Sequence, residues 1–378
     1  DVMRKVAIIG GGLGGTACAY SLAQAGSQPV IFDAGADIAP GASGNPLAMV
    51  NPRLQKNRDA VGDFYMNAFL LARRQLQALQ TGQDIGYREC GTLFLITDEK
   101  LRARYAAACE SFNSERDMMA YVDARQASAI AGVDCDYDGL WLALAGCVCP
   151  HKLCRAMARH AEIRLNTPVA TPEPVKDGWR IDEEVFDAAI LAAGPGVMQL
   201  AQASWLPLSI VRGQIIGCPP GKQSANLACN LNYGGYCTPA IDNRHFVGAS
   251  FEPERYDTAI DEAASRELLN KLVNIAPALG DDLEPVTARA GLRVAAKDRR
   301  PVIGRVPDEK QWRADAPVHR QNLYINTAFG SHGVISALAG GQIIADDILQ
   351  RPASFARASL RAIAPERFLE RYARKGRM

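Results

Sequence analysis

The glycines near the start of the chain are spaced to bind a dinucleotide. Gly10, Gly12 and Gly15 follow an apolar run that predicts a strand, and a helix is predicted directly after them. In such a turn Gly10 permits the tight bend, Gly12 lets the backbone approach a pyrophosphate, and Gly15 lets helix and sheet pack closely. The first turn of the helix offers unpaired amides and a partial positive charge to phosphate oxygens.

An acidic residue completes this pattern. Asp33 ends the second predicted strand, where a carboxylate can accept hydrogen bonds from the hydroxyls of an adenosine ribose. Glycine spacing alone is a weak signal, but the strand, the helix and the acid all occur in the expected order. The sequence therefore favours a dinucleotide site over the alternative, a plain glycine turn in a parallel sheet.

A second glycine-bearing turn lies late in the chain. The apolar strand predicted at 323–327 leads to the turn formed by Gly330, Ser331, His332 and Gly333, and a helix is predicted over 334–349. A compact NAD-dependent dehydrogenase does not need this turn, whereas a large, extended flavin cofactor does. The two turns together predict a flavin dinucleotide.

Further strands and helices are predicted between these two turns. The apolar segment 186–193 ends on Gly194 and is typical of a buried parallel strand. Further strands are predicted at 91–97, 140–149, 162–166, 208–218, 235–239 and 245–250, and helices at 63–79, 151–161 and 261–275. A chain of 378 residues is also too long for one compact core. We therefore expect two interleaved domains, with a second sheet region inserted into the nucleotide-binding one.

The composition argues against several classes of protein. The 42 basic and 41 acidic residues nearly balance, so no global charge indicates nucleic acid or membrane. The ten cysteines lack paired zinc spacing, and we expect reduced core residues of a soluble cytoplasmic protein. Cys147, Cys149 and Cys154 lie near His151, but a buried strand followed by a helix is favoured there over a metal site. Five glycines interrupt the opening apolar run, which predicts neither a signal peptide nor a membrane helix.

Four blocks of sequence resemble the FAD-dependent amine oxidases of the D-amino-acid oxidase superfamily, which includes glycine oxidase and sarcosine oxidase. The blocks are 8–15 with Asp33, 41–45, 187–196, and 290–304 with the turn at 330–333. The resemblance implies an α/β fold in which a Rossmann-like FAD-binding domain is interleaved with an α+β substrate domain built on a mostly antiparallel sheet. The FAD-binding domain is expected at 1–90, 150–205 and 286–350, the substrate domain at 91–149 and 206–285, and a basic C-terminal tail at 351–378.

A narrower resemblance is to the oxidase half of the bifunctional enzymes that make 5-methylaminomethyl-2-thiouridine in tRNA. It rests on the loop 41–45 leading to 51–54, on 212–214, on 235–239 and on 364–368. It implies oxidative removal of the carboxymethyl group from 5-carboxymethylaminomethyl-(2-thio)uridine at the wobble position, giving 5-aminomethyl-(2-thio)uridine and glyoxylate. It also implies an SAM-dependent methyltransferase partner, fused N-terminally, which agrees with a chain that begins at Asp1. Two alternatives stay open: an oxidase of a free amino acid such as glycine or sarcosine, and an inactive flavin-containing RNA-binding module.

The same resemblance assigns the cofactor residues. The pyrophosphate of FAD is assigned to Gly10, Gly12 and Gly15, its ribose to Asp33, and its adenine to Val169. The flavin is expected to pack beside Ser43, Gly44 and Asn45, and Gly194 ends a strand at the site. The pyrimidine edge of the flavin is expected at the turn formed by Gly330, Ser331, His332 and Gly333. His332 departs from the family, which more often has arginine there. Binding is expected to be noncovalent, because no cysteine follows Cys237, where sarcosine oxidases carry their flavin link.

Arginines are the candidates for binding substrate. The resemblance gives Arg293 the substrate carboxylate, which a guanidinium can hold by two parallel charged hydrogen bonds, with Arg212 and Arg289 as competitors. Tyr236 is expected to line the same pocket. The segment 351–378 carries eight basic residues against Glu366 and Glu370, a balance compatible either with contacts to tRNA phosphates or with a solvated basic helix.

Overall fold

The first glycine turn follows a strand of a six-stranded sheet. The computed structural model describes residues 4–55, 58–112 and 118–374. In spatial order, the sheet contains Val302–Pro307, His319–Thr327, Ala188–Leu191, Lys5–Ile9, Gln28–Phe32 and Glu162–Arg164. The last five strands run parallel to one another, and Val302–Pro307 is antiparallel to its neighbour. The carboxyl ends of the parallel strands therefore meet at one edge, where ligands bind in folds of this kind.

Both faces of this sheet are covered, which explains its continuous apolar strands. In Lys5–Ile9, Val6 and Ile8 face helices, whereas Ala7 and Ile9 face a small antiparallel sheet. The strands of the small sheet are Glu173–Val175, Gly178–Ile181 and Glu184–Phe186.

Two helices that begin at the glycine turns pack together on the other face. Helix Leu13–Gln24 and helix Gly333–Ile348 approach so closely that a Cβ on Gly341 would lie 2.4 Å from the carbonyl oxygen of Ala17. Their N-termini are thereby held at the same edge of the sheet.

A second sheet has nine strands and is mostly antiparallel. Eight of them follow the spatial order Glu252–Pro253, Leu208–Cys218, His245–Gly248, Tyr236–Cys237, Asn230–Asn232, Thr92–Leu95, Gly139–Leu142 and Met119–Val122. The ninth, Thr287–Ala296, pairs with Leu208–Cys218 over ten residues, so this sheet continues beyond residue 285. Among the described strands of this sheet, only Asn230–Asn232 and Thr92–Leu95 pair in parallel. The expected fold class is confirmed: a Rossmann-like sheet with helices, interleaved with a mostly antiparallel sheet.

The remaining regular elements connect these sheets. A two-stranded sheet pairs Ala48–Val50 with Gly146–Val148. The other helices in the described residues are Ala60–Gly82, Glu99–Ser111, Ala124–Ala131, Pro150–Met157, Glu262–Ile275, Pro277–Gly280, Arg357–Ile363 and Arg367–Arg374, with short 3₁₀ turns at Ala42–Gly44, Gly194–Gln199 and Ser224–Asn226. Several begin after an aspartate that accepts amide hydrogen bonds, as Asp59 does from Val61 and Gly62 at 3.0 and 2.8 Å.

The described part of the basic C-terminal segment, residues 351–374, is docked on the fold rather than extended as a tail. Arg367 is buried and donates two hydrogen bonds to Asp298, at 2.9 and 3.0 Å, and Phe368 beside it is buried in the core. Arg361 and Arg374 share Glu370, at 3.5 and 3.4 Å, while Lys375 and Arg377 lie outside the described residues. Less of the positive charge is therefore unpaired than a count along the sequence predicts.

Two further properties bear on the sequence expectations. Among the described residues, no helix is long and apolar enough to cross a membrane. Seven of the ten cysteines are buried, and all ten are free.

Candidate functional site

A cavity of about 1030 Å³ lies between the two sheets. This volume is at the upper end for a small-molecule site. The predicted residues on its wall are Gly10, Gly12, Asp33, Ser43, Asn45, Val169, Gly194, Tyr236, Arg293, Gly330, Ser331, His332 and Gly333. The fold thus brings together residues from both glycine turns and from the nine-stranded sheet, whereas Gly15, Gly44 and Arg212 are not on the wall.

The first glycine turn leaves space on the cavity side only. Gly10 has a φ of 113°, in the region that favours glycine, and a Cβ on Gly15 would lie 1.8 Å from the carbonyl oxygen of Gly10. A Cβ on Gly12, by contrast, would approach only Ser43, with its Oγ 3.1 Å away. Gly12 therefore bounds an open cradle at the helix N-terminus, and this space fits the pyrophosphate of FAD.

Polar groups around this cradle are oriented by backbone hydrogen bonds. The Asp33 carboxylate accepts from the amides of Gly11 and Gly35 at 2.6 and 2.7 Å. The Ser43 hydroxyl accepts from the amide of Leu13 at 3.0 Å, which leaves its own proton to donate into the cavity. Both side chains are fixed and keep capacity for a ligand.

Arg289 holds the loop that carries Ser43. Its guanidinium donates to the side-chain oxygen of Asn45 at 2.5 Å and to the carbonyl oxygen of Gly41 at 2.7 Å. Arg289 is absent from the cavity wall. Arg289 therefore holds this loop in place and does not line the cavity.

Arg293 presents an unpaired charge to the cavity. Its guanidinium donates to the carbonyl oxygen of Ser250 at 3.2 Å, and no described carboxylate lies within salt-bridge distance. Burial lowers the pKa of Arg293, and the neighbouring Tyr236 opposes that shift. Because an arginine stays protonated in proteins, this wall carries a cation with room for an anionic ligand.

Tyr236 supplies a neutral donor beside it. Burial raises the pKa of Tyr236 to about 12, and Arg293 acts in the opposite direction. The phenol is therefore protonated at neutral pH. Together, Arg293 and Tyr236 can bind a carboxylate by charged and neutral hydrogen bonds.

Arg212 is bound by other protein groups and does not line the cavity. Its side chain is fully buried, ion-paired with Glu252, and hydrogen-bonded to Gln214 at 2.7 Å and to the carbonyl oxygen of Ala259. It holds the segment after Glu252–Pro253 against the sheet. Sequence spacing cannot distinguish it from Arg293, because both lie in apolar strands within two residues of a glycine.

The wall also contains residues that the sequence did not predict. Ala249, Ser250 and Phe251 follow strand His245–Gly248 and reach the cavity. No spacing pattern indicates them, because their role depends on the strand that carries Arg293.

His332 is a neutral side chain at the N-terminus of helix Gly333–Ile348. Its ring centroid lies 5.5 Å from that of Tyr65. Burial, together with the charges of Arg53 and Arg104, lowers the pKa of His332 from 6.5 to about 4. A neutral imidazole therefore stands at this helix N-terminus, and it adds no positive charge at neutral pH.

This pKa predicts a loss of stability in acid. Between pH 6.5 and about 4 the unfolded chain binds a proton at His332 that the folded chain does not, so this contribution is complete above pH 6.5 and is lost as the pH falls. In the apoprotein we expect His332→Gln to lose less stability than the wild type between pH 7 and pH 5, measured by urea unfolding. The exposed His160→Gln serves as the control. Parallel losses in wild type and His332→Gln would contradict the prediction.

Comparisons with known proteins agree with this geometry. The family model described as FAD dependent oxidoreductase matches residues 5–347. The tRNA 5-methylaminomethyl-2-thiouridine biosynthesis bifunctional protein MnmC of Shewanella putrefaciens is 31% identical over the whole chain, and that of Chromobacterium violaceum is 30% identical over 97% of it. The chain spans 61% and 60% of the length of these two relatives.

Solved structures share the fold. Glycine oxidase from Geobacillus kaustophilus superposes with a TM-score of 0.80 at 21% identity, covering 96% of this chain and 98% of that one. L-proline dehydrogenase from P. horikoshii gives a TM-score of 0.81 at 17% identity, covering 97% and 98%. With the family model matched across most of its length, the chain belongs to the FAD-dependent oxidoreductases of the D-amino-acid oxidase type.

Proposed function

We propose that this oxidoreductase removes the carboxymethyl group from 5-carboxymethylaminomethyl-(2-thio)uridine at the wobble position of tRNA, giving 5-aminomethyl-(2-thio)uridine and glyoxylate. The observation that carries the proposal is Arg293, a cation on the cavity wall with no described carboxylate partner. A guanidinium without a carboxylate partner favours a substrate that carries a carboxylate. The tRNA enzymes to which the chain is 30 to 31% identical supply the substrate class.

The cavity supports noncovalent binding of FAD. Gly10 and Gly12 would hold its pyrophosphate, Asp33 its ribose, and the turn Gly330 to Gly333 its flavin end. All ten cysteines are described, and none is on the cavity wall, so the wall offers no thiol for a covalent link. Bound FAD supplies the acceptor for the hydride that leaves the substrate.

The residues of the chain then determine which bond is oxidised. Two hydrogen bonds from Arg293 fix the position and orientation of the carboxylate, and this places the adjacent methylene carbon at a defined point in the cavity. That carbon loses a hydride and the amine loses a proton, which gives an imine. Water adds to the C=N bond, and cleavage of the resulting C–N single bond releases glyoxylate and the 5-aminomethyl nucleoside.

The wall offers no strong general base among the described residues. Its ionisable side chains there are Asp33, Tyr236, Arg293 and His332. Asp33 is hydrogen-bonded within the first glycine turn, Tyr236 is protonated at neutral pH, and the low pKa of His332, about 4, makes its imidazole a weak proton acceptor. We therefore propose that the secondary amine binds neutral and needs no proton acceptor before oxidation.

The partners follow from the relatives. This chain covers only about 61% of the length of a bifunctional protein. We propose that an SAM-dependent methyltransferase domain, fused N-terminally in the intact protein, uses the free amine of the product as its substrate. Because the proposed substrate is tRNA, the proposed site of action is the cytoplasm.

The deciding experiment is anaerobic mixing of the FAD-loaded protein with tRNA that carries the carboxymethylaminomethyl group. We expect the flavin absorbance to bleach far faster with this tRNA than with glycine or sarcosine, and not at all with unmodified tRNA. Equal or faster reduction by a free amino acid would make the protein an amino acid oxidase. Binding of tRNA with no reduction by any of these compounds would favour an inactive RNA-binding module.

A further inference from the structure

We propose that Phe251 is the platform on which the pyrimidine base of the substrate nucleotide stacks. This inference rests on the proposed function and extends it to the part of the substrate that a free amino acid lacks. Phe251 is 64% exposed although it is a large apolar side chain, and it is also part of the cavity wall. An exposed aromatic ring at the mouth of a binding cavity is positioned to contact a ligand that protrudes from it.

The backbone ties Phe251 to the carboxylate-binding arginine. Its neighbour Ser250 accepts a hydrogen bond from Arg293 at its carbonyl oxygen, at 3.2 Å. The Ser250 amide donates to the carbonyl oxygen of Gln214 at 3.0 Å, and the Gln214 amide donates to the Ser250 hydroxyl at 2.8 Å. Phe251 is therefore one residue from a fixed contact of the guanidinium.

The length of the substrate arm matches this placement. Four bonds separate the carboxyl carbon from C5 of the pyrimidine, so an extended arm spans roughly 5 Å. With the carboxylate held by Arg293, the base lies one arm length from the guanidinium, within reach of Phe251, which is one residue from the Ser250 contact. Glycine and sarcosine end before they reach Phe251.

Three carboxylates and two arginines form ion pairs next to Phe251, so two of the negative charges there are offset. Glu252 is ion-paired with Arg212 and, at 2.6 Å, with Arg255. Arg255 also pairs with Asp257 and Asp261, both at 2.9 Å. The ion pairs also brace the segment that follows the ring.

An unpaired nucleobase is the occupant that this ring fits. Proteins that read single-stranded RNA loops stack bases on aromatic side chains, and a pyrimidine at the wobble position lies in such a loop. One ring at the cavity mouth suits one base, and the arm attached to that base enters the cavity beside it.

The test compares two substrates in three variants. We propose Phe251→Ala and Phe251→Trp, with Val286→Ala as the control because Val286 is 57% exposed and lies off the cavity wall. The substrates are the free nucleoside 5-carboxymethylaminomethyluridine, which has a base and no phosphate, and sarcosine, which has the amine and carboxylate alone. The concentration that gives half-maximal anaerobic flavin reduction is measured for each pair.

We expect Phe251→Ala to raise the half-saturating nucleoside concentration about tenfold or more, in line with the loss of one stacked base. Sarcosine should be unaffected, Phe251→Trp should behave like the wild type, and Val286→Ala should change nothing. An unchanged nucleoside response in Phe251→Ala, or an equal loss with sarcosine, would overturn the stacking role. If the wild type is reduced by sarcosine but by neither the nucleoside nor modified tRNA, the proposed function fails instead, and the stacking role with it.

Discussion

The Arg293→Ala variant is expected to retain FAD and to oxidise modified tRNA very slowly. The guanidinium lies on the nine-stranded sheet, on the opposite side of the cavity from Gly12 and Asp33, so its loss leaves the dinucleotide cradle intact. Each charged hydrogen bond to the carboxylate contributes roughly 1.5 to 3 kcal/mol, about ten- to a hundredfold in affinity. Misplacement of the methylene carbon adds a further loss in the rate of flavin reduction. Anaerobic stopped-flow absorbance measures both effects, since the rate is followed as the substrate concentration is varied.

Two variants make the assignment specific. Arg293→Lys keeps the charge without the two-pronged geometry, so we expect weaker orientation and an intermediate rate. Arg289→Ala removes an arginine four residues away in the same strand, but one that holds the loop of Asn45. Arg289→Ala should lower the fraction of protein that retains FAD. The molecules that do retain FAD should be reduced at the wild-type rate. Near-normal reduction by Arg293→Ala would remove Arg293 from the site. It would also leave the wall without an arginine among the described residues, because Arg212 and Arg289 lie off it.

The choice among these arginines shows where sequence information ends. Strand Leu208–Cys218 was predicted with its observed bounds, and the late helix within one residue at each end, because long apolar patterns determine such elements. The pairing of Leu208–Cys218 with Thr287–Ala296 decides which arginine reaches the cavity. That register depends on contacts between segments distant in sequence, and no local pattern encodes it. The apolar run 140–149 likewise reads as one strand, whereas a turn divides it into Gly139–Leu142 and Gly146–Val148.

The basic C-terminal segment illustrates the same limit for charge. Counting residues gives a strongly positive stretch, and a solvated or RNA-bound surface is the natural expectation. Its central arginine, Arg367, instead pairs with Asp298, which is 69 residues away in the sequence. Only the fold reveals that partner. Deleting the segment would therefore remove buried Phe368 and test the stability of the fold rather than the binding of RNA.

The Gly12→Leu variant is expected to fold and to lose FAD. Gly12 has φ −82° and ψ −170°, which any residue adopts, so the substitution brings no backbone strain. Its Cβ would meet only the hydroxyl of Ser43, at 3.1 Å, and the rest of the side chain would enter the space assigned to the pyrophosphate. Gly15→Ala is the matched contrast, because its Cβ would lie 1.8 Å from the carbonyl oxygen of Gly10 and would disrupt the turn itself. We therefore expect a colourless Gly12→Leu protein whose unfolding midpoint equals that of the wild-type apoprotein, and a destabilised Gly15→Ala protein. Full FAD absorbance in purified Gly12→Leu would show that the pyrophosphate lies elsewhere, and the assignment of the first glycine turn would have to be withdrawn.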